Sequence, residues 1–202
     1  METRQHAAAE ARARILEAAL DEVAAAGGEG VTLQAVAARA DVALRTLYNH
    51  FAGRDELLAA AFLEHAARTR AAVEAVVLPE AAPDEQLEHV VEAYHRRYAA
   101  MGERLGALLS LRGYPELEEQ VGIIRARRRR LLEEIVEHGE RAGVLRLPAG
   151  TAVALAYALT GHAGWRALCE QADGDPVEAT RMAIEALRSA LFHDSVMGRG
   201  TG

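Results

Sequence analysis

Between Leu44 and His50 the chain carries Arg45, Thr46, Tyr48 and Asn49, side chains suited to reading a nucleic acid. An arginine guanidinium can donate two parallel bonds to the acceptors of guanine, and an asparagine amide can address an adenine edge or a phosphate. The hydroxyls of Tyr48 and Thr32 suit phosphate oxygens, which position a protein on a duplex without reading its sequence. Arg54 can reach the same backbone together with the free amides of the helix it opens. On a helix Leu44, Arg45, Thr46, Asn49 and His50 are the residues expected to face outward, and apolar residues fall where two short helices must pack on a supporting one.

The elements that must hold these groups are helices. Helical periodicity runs nearly end to end, and no stretch alternates as a strand would. A first helix is expected over 7–26 with Ile15, Leu16, Ala19 and Val23 inward, ended by Gly27 and Gly28. Thr32 is a good N-cap for a second helix reaching Ala40. A third runs from after Val42 to Phe51, and a fourth from Arg54 to about Val77. Two short helices joined tightly at Asp41-Val42 make the helix-turn-helix pattern, whose second helix enters the major groove. The residues alone leave open that 31–58 is merely a helix pair in a bundle.

Beyond the break at 79–83, a helix over 84–101 puts Leu87, Val91, Tyr94, Tyr98 and Met101 on one face. A short piece follows near 105–111, and Pro115 opens a long helix ended by Gly143. Pro148 starts another expected to reach Gln171, and Asp175-Pro176-Val177-Glu178 reads as N-cap, N1 proline and capping-box acid for a last helix to Phe192. The expected fold class is therefore all-α: a three-helix helix-turn-helix domain over 1–53, a helical domain over 54–194, and a frayed tail over 195–202.

Composition narrows the function. The 202 residues carry a net charge of -7, which argues against coating nucleic acid by bulk attraction and requires any basic face to be local. Between Val31 and Arg54 three arginines stand against one aspartate, while Glu17, Asp21, Glu22 and Glu29 lie elsewhere. Arg4, Arg12 and Arg14 can add an arm near the phosphates. The single cysteine, Cys169, fits a reducing, cytoplasmic setting, and no signal-peptide core is visible over 1–14. The uncharged stretch 147–165 is long enough to suggest a membrane span, but its glycines, threonines and Pro148 favour a buried helix, so no membrane partner is expected.

The run from Thr32 to Phe51, with its Leu47-Tyr48 and His50-Phe51 pairs, followed by Arg54-Asp55-Glu56-Leu57-Leu58, resembles the N-terminal domain of TetR-family regulators. The likeness in motif covers about 12–62; the rest agrees only in length and helical layout. Two departures stand out. Asp41 occupies the turn position where the family usually has glycine, and Ala43 replaces a small hydroxyl cap, a loss of about 1 kcal/mol. The resemblance implies a homodimer on a palindromic double-stranded operator, a small-molecule effector in the C-terminal domain, and most often repression.

In that second domain the residues are less explicit. Tyr94, Tyr98, Arg128 and Trp165 are candidate ligand contacts. Arg128 interrupts an apolar line between Ile124 and Leu131, which calls for an anionic ligand, a glutamate partner or an escape to solvent. The tyrosines and Trp165 serve equally well as core. Leu155, Leu159, Ile184, Leu187 and Leu191 are candidate dimer contacts, or else monomer core. A helical-bundle metal enzyme is the main rival class, but Glu92-x-x-His95 occurs once where a di-iron bundle needs the pattern twice, so neither catalysis, metal nor other cofactor is expected. A helical adaptor without DNA binding is the other rival.

Overall fold

The computed structural model describes residues 2–110 and 114–193, and the side chains among them except at 2–4, 27–29, 103, 110 and 116. Helices make up the whole of its regular structure apart from one β-bridge. In order they are α1 (Glu2–Gly30), α2 (Leu33–Arg39), α3 (Leu44–His50), α4 (Arg54–Glu74), α5 (Pro83–Met101), α6 (Glu103–Ser110), α7 (Pro115–Arg141), α8 (Ala149–Leu159), α9 (His162–Gln171) and α10 (Pro176–Leu191). The expected tail over 195–202 lies outside the described residues.

Two compact units emerge, each drawn from two stretches of chain: 1–71 with 101–123, and 72–100 with 124–202. This division differs from a boundary after residue 53. The reason lies in α4, whose Leu57, Leu58, Ala61, Phe62 and Ala66 are buried in the same core as Ile15, Leu16, Ala19 and Val23 of α1. Compactness thus follows that apolar face rather than the end of the reading motif.

In the first unit, α1 runs through the glycine pair expected to end it and stops only at Gly30. Thr32 caps α2, its hydroxyl accepting from Ala35 N–H at 3.2 Å. Asp41 then takes a left-handed φ of 52° in the turn, and α3 starts on Ala43 with no side-chain cap bond. Both departures from the family pattern have the backbone consequence their chemistry predicts. Leu108 and Leu117 extend the core, and the Tyr114 ring meets Phe62 edge-on at 5.0 Å. Arg104 joins α6 to α1 through Glu17 and Asp21.

In the second unit, Leu87, Val91, Tyr94 and Tyr98 of α5 are buried, as are Leu131 and Ile135 of α7. Met101, expected on the same α5 face, packs instead on the first core. Gly143, at a φ of 67°, follows the end of α7. The helix expected from Pro148 to Gln171 is two helices, because the chain breaks at Thr160-Gly161. Thr160 turns its hydroxyl back to Ala156 O at 2.6 Å, and a Cβ on Gly164 would stand 2.3 Å from Ala158 O. That approach of backbone to backbone is open only to glycine. The same break divides the uncharged stretch, and no described helix is long and apolar enough to cross a membrane.

Asp175 caps α10 by accepting from Val177 N–H and Glu178 N–H. Glu178 does not complete a capping box; its carboxylate is held by Arg181, so the reciprocal bond gives way to an ion pair. Arg188 ties α10 to Asp84 and Glu88 of α5, and Leu145 bridges antiparallel to Phe192.

Candidate nucleic-acid interface and ligand site

The candidate reading surface begins with what is buried behind it. Leu47 is fully buried and anchors α3, with Val36 and Ala37 of α2 and Phe51 beyond it, so the opposite side of α3 faces solvent. Arg45 and Asn49 are exposed, and Tyr48 is 52% exposed, a large aromatic that a folded chain would otherwise cover. Thr46 and His50 are half-buried, His50 with its ring tilted against Phe51. Leu44, expected to point outward, packs partly on the core, because the short α3 must bury its apolar first residue as well as Leu47.

Electrostatics single out one cation. Arg39 is paired with Glu22, which raises its pKa through the hydrogen bond and the charge. Arg12 is paired with Glu64 and lies over the Phe51 ring, and the Arg14 side chain donates to Ala40 O at 3.2 Å. These two therefore brace the domain rather than forming the free arm expected of them; the Arg4 side chain lies outside the described ones. Arg54 donates from Nε to Val31 O at 3.1 Å and meets Asp55, so its guanidinium is already engaged at the start of α4. Glu56 of the same turn accepts from Ala52 N–H at 2.7 Å. Arg45 alone of the three arginines between Val31 and Arg54 meets no carboxylate and points into water beside Tyr48 and Asn49. The acidic excess of this half is thus largely neutralised internally, leaving a free cation on the exposed helix.

The second unit gathers the other candidates. The Tyr94 and Tyr98 rings lie 6.4 Å apart, and Trp165 lies 5.9 Å from Tyr98. Arg128, 8% exposed, donates from Nη1 to Tyr98 Oη at 2.8 Å, and Tyr98 donates on to Thr160 O. All four expected ligand residues therefore meet in one cluster. The glutamate partner and the escape to solvent foreseen for Arg128 are both ruled out: it is enclosed, stacked 4.3 Å from the Tyr157 ring centroid, with no carboxylate on it. Burial raises the pKa of Tyr94 and of Tyr98.

Reading the sequence missed three members. His95, named in the sequence only for the single Glu92-x-x-His95 pattern, is fully buried, its Nε2 donating to Leu159 O at 3.0 Å and its Nδ1 lying 3.3 Å from Thr180 Oγ1. Burial pushes it down to a pKa of about 4, so it sits there uncharged. Tyr157 and Arg97 complete the group. Arg97, three residues after Tyr94 on α5, was the readable signal. Among the described residues no group of three or more His, Cys, Asp or Glu could hold a metal ion.

The dimer candidates divide. Leu187 and Leu191 are buried in the chain's own core, at 0% and 1% exposure, and offer no surface to a second copy. Leu155, Leu159 and Ile184 are half-buried. Alpha-helical spacing explains the difference: α10 buries the line Ala179, Ala183, Leu187, Leu191, and Ile184 lies beside it.

A short exposed helix, seated by a buried leucine on two supporting helices, defines a helix-turn-helix protein. Residues 15–61 match the model of the tetR family of bacterial regulatory proteins. The chain is 37% identical over 87 residues to the HTH-type transcriptional repressor KstR of Mycolicibacterium smegmatis, and the match spans 43% of each chain. A bacterial regulatory protein of the tetR family from Rhodococcus RHA1 shares the fold with a TM-score of 0.65 and 26% identity, over 91% of this chain and 98% of that one. The regulator FadR of Bacillus subtilis, solved in complex with stearoyl-CoA, has the same fold, with a TM-score of 0.63 and 20% identity over 88% and 97% of the two chains. The N-terminal stretch of the chain is thus similar to that of tetR-family regulators, and the chain spans less than half the length of the curated relative it matches.

Proposed function

We propose that the protein is a cytoplasmic, ligand-responsive transcriptional repressor that binds a palindromic operator as a homodimer. The observation that carries this reading is the solvent-facing row of Arg45, Tyr48 and Asn49 on a helix held from behind by Leu47. Arg45 reads a guanine, Asn49 an adenine edge or a phosphate, and Tyr48 and Thr32 contact phosphates. Two such helices must enter grooves about 34 Å apart, one helical turn, which a twofold dimer satisfies. An effector bound in the second unit favours a dimer of different spacing, and DNA opposes that shift reciprocally.

Unbiased selection from a random duplex library, followed by gel shift, tests the proposal. Enrichment of a twofold-symmetric site, bound less well by Arg45→Ala, supports it. Failure of the wild-type chain to enrich any sequence leaves the adaptor reading in possession.

A further inference from the structure

Several surface arginines of this chain, among them Arg39, Arg104, Arg181 and Arg188, meet a carboxylate. Arg97 and Arg128 of the second unit, each with its Nε buried, meet none among the described residues. Arg128 is enclosed, and its contacts are neutral: the Tyr98 hydroxyl and the faces of Tyr94 and Tyr157, with its Nε lacking any protein partner. Arg97, half-buried on α5, also has a buried Nε without a partner. Its pKa is lowered, by burial first, and only the neighbouring Tyr98 and Tyr94 oppose the fall. Tyr94 Oη and Trp165 Nε1 are likewise buried without a partner. Gly161 leaves room for the arginine, since a Cβ there would stand 3.2 Å from Arg128 Nη2.

A sequestered guanidinium without a counter-charge is costly, and folded chains retain one where an anion completes it. Its fork matches the two oxygens of a carboxylate, and the aromatic walls match an apolar body behind such a head. We propose that the Arg97–Arg128 cluster is a recognition site for the carboxylate of an amphiphilic, mainly apolar effector. Arg128 supplies the two-pronged contact, Arg97 the second positive charge and Tyr94 a hydroxyl. This deepens the regulatory reading and rests on it for its biological meaning.

Trp165 is the single tryptophan and lies in the cluster, so its emission reports occupancy directly. The full chain is titrated with octanoate and phenylacetate at up to millimolar concentration, and in parallel with octanamide and phenylacetamide. An acid should shift the emission and bind at least about tenfold more tightly than its amide. Arg128→Met should abolish that preference while melting no lower than wild type, since it removes an unpaired buried charge. Arg97→Met, at a half-exposed position, should weaken the acid several-fold. Equal binding of acid and amide, absence of any response to both acids, or an Arg128→Met chain that melts far lower or fails to fold would each overturn the proposal. Gel shift on the selected operator separates the two readings. If wild type binds operator but prefers no acid, this site assignment alone falls; if it selects no operator, the regulatory reading falls while the acid preference is still judged by Trp165.

Discussion

Arg45 carries the clearest expectation of any single side chain. Its guanidinium is exposed and meets no carboxylate among the described residues, so the proposed contact with a groove requires no ion pair to break. Arg45→Ala should weaken operator binding by about 1–3 kcal/mol and relax one base preference, read from gel shifts on a set of singly altered sites. Arg54→Ala carries a different signature. Its bond to Val31 O means that the substitution lowers the stability of the domain as well as affinity for all sequences, so melting and binding must be measured together. His95 offers a pH test. Its folded pKa of about 4 lies below the unfolded value near 6.5, so the unfolded state takes up the proton first as pH falls. The contribution is complete above pH 6.5 and is lost between about 6.5 and 4, at most about 3 kcal/mol. Urea titrations should show that slope in wild type and a shallower one in His95→Gln.

Two backbone features decide how well the short helices are held. Asp41 at a φ of 52° carries strain that glycine lacks, and α3 lacks a capping side chain at Ala43. Ala43→Ser should stabilise the domain by about 1 kcal/mol, and Asp41→Gly by a fraction of that, both read as a higher midpoint in urea. Substitutions at the α8–α9 break act oppositely. Gly164→Ala forces a Cβ onto Ala158 O and should cost about 1–3 kcal/mol or more, detected as a lower melting temperature. If Gly164→Ala melts as wild type does, the close approach of α8 to α9 is not what breaks the helix.

Assembly is governed by which apolar residues the chain leaves uncovered. Arginine at Leu187 would unfold the second unit, since that side chain is wholly enclosed, and would say nothing about association. The exposed Ala154 and Ala158 of α8 are better probes, for each tolerates a long side chain in the isolated chain. An Ala154→Arg, Ala158→Arg chain should run as a folded monomer by light scattering if α8 lies at the twofold axis; a folded dimer would move the interface elsewhere.

The periodicity of apolar residues determined the all-helical class, the Thr32 and Asp175 caps and the helix-turn-helix, because each depends on neighbours three or four positions away. The exposure of Arg45, Tyr48 and Asn49 was legible for the same reason, since it follows from the local position of Leu47, whereas that of Leu44, Thr46 and His50 was not. What local pattern could not decide was pairing across the fold. Only the tertiary structure shows that Glu22, Glu64 and Val31 O occupy Arg39, Arg12 and Arg54 while Arg45 stays free. Likewise Arg128 is placed among rings from α5, α8 and α9, residues up to about 70 positions distant in sequence order yet joined by packing, and no helical period encodes whether a carboxylate stands among them.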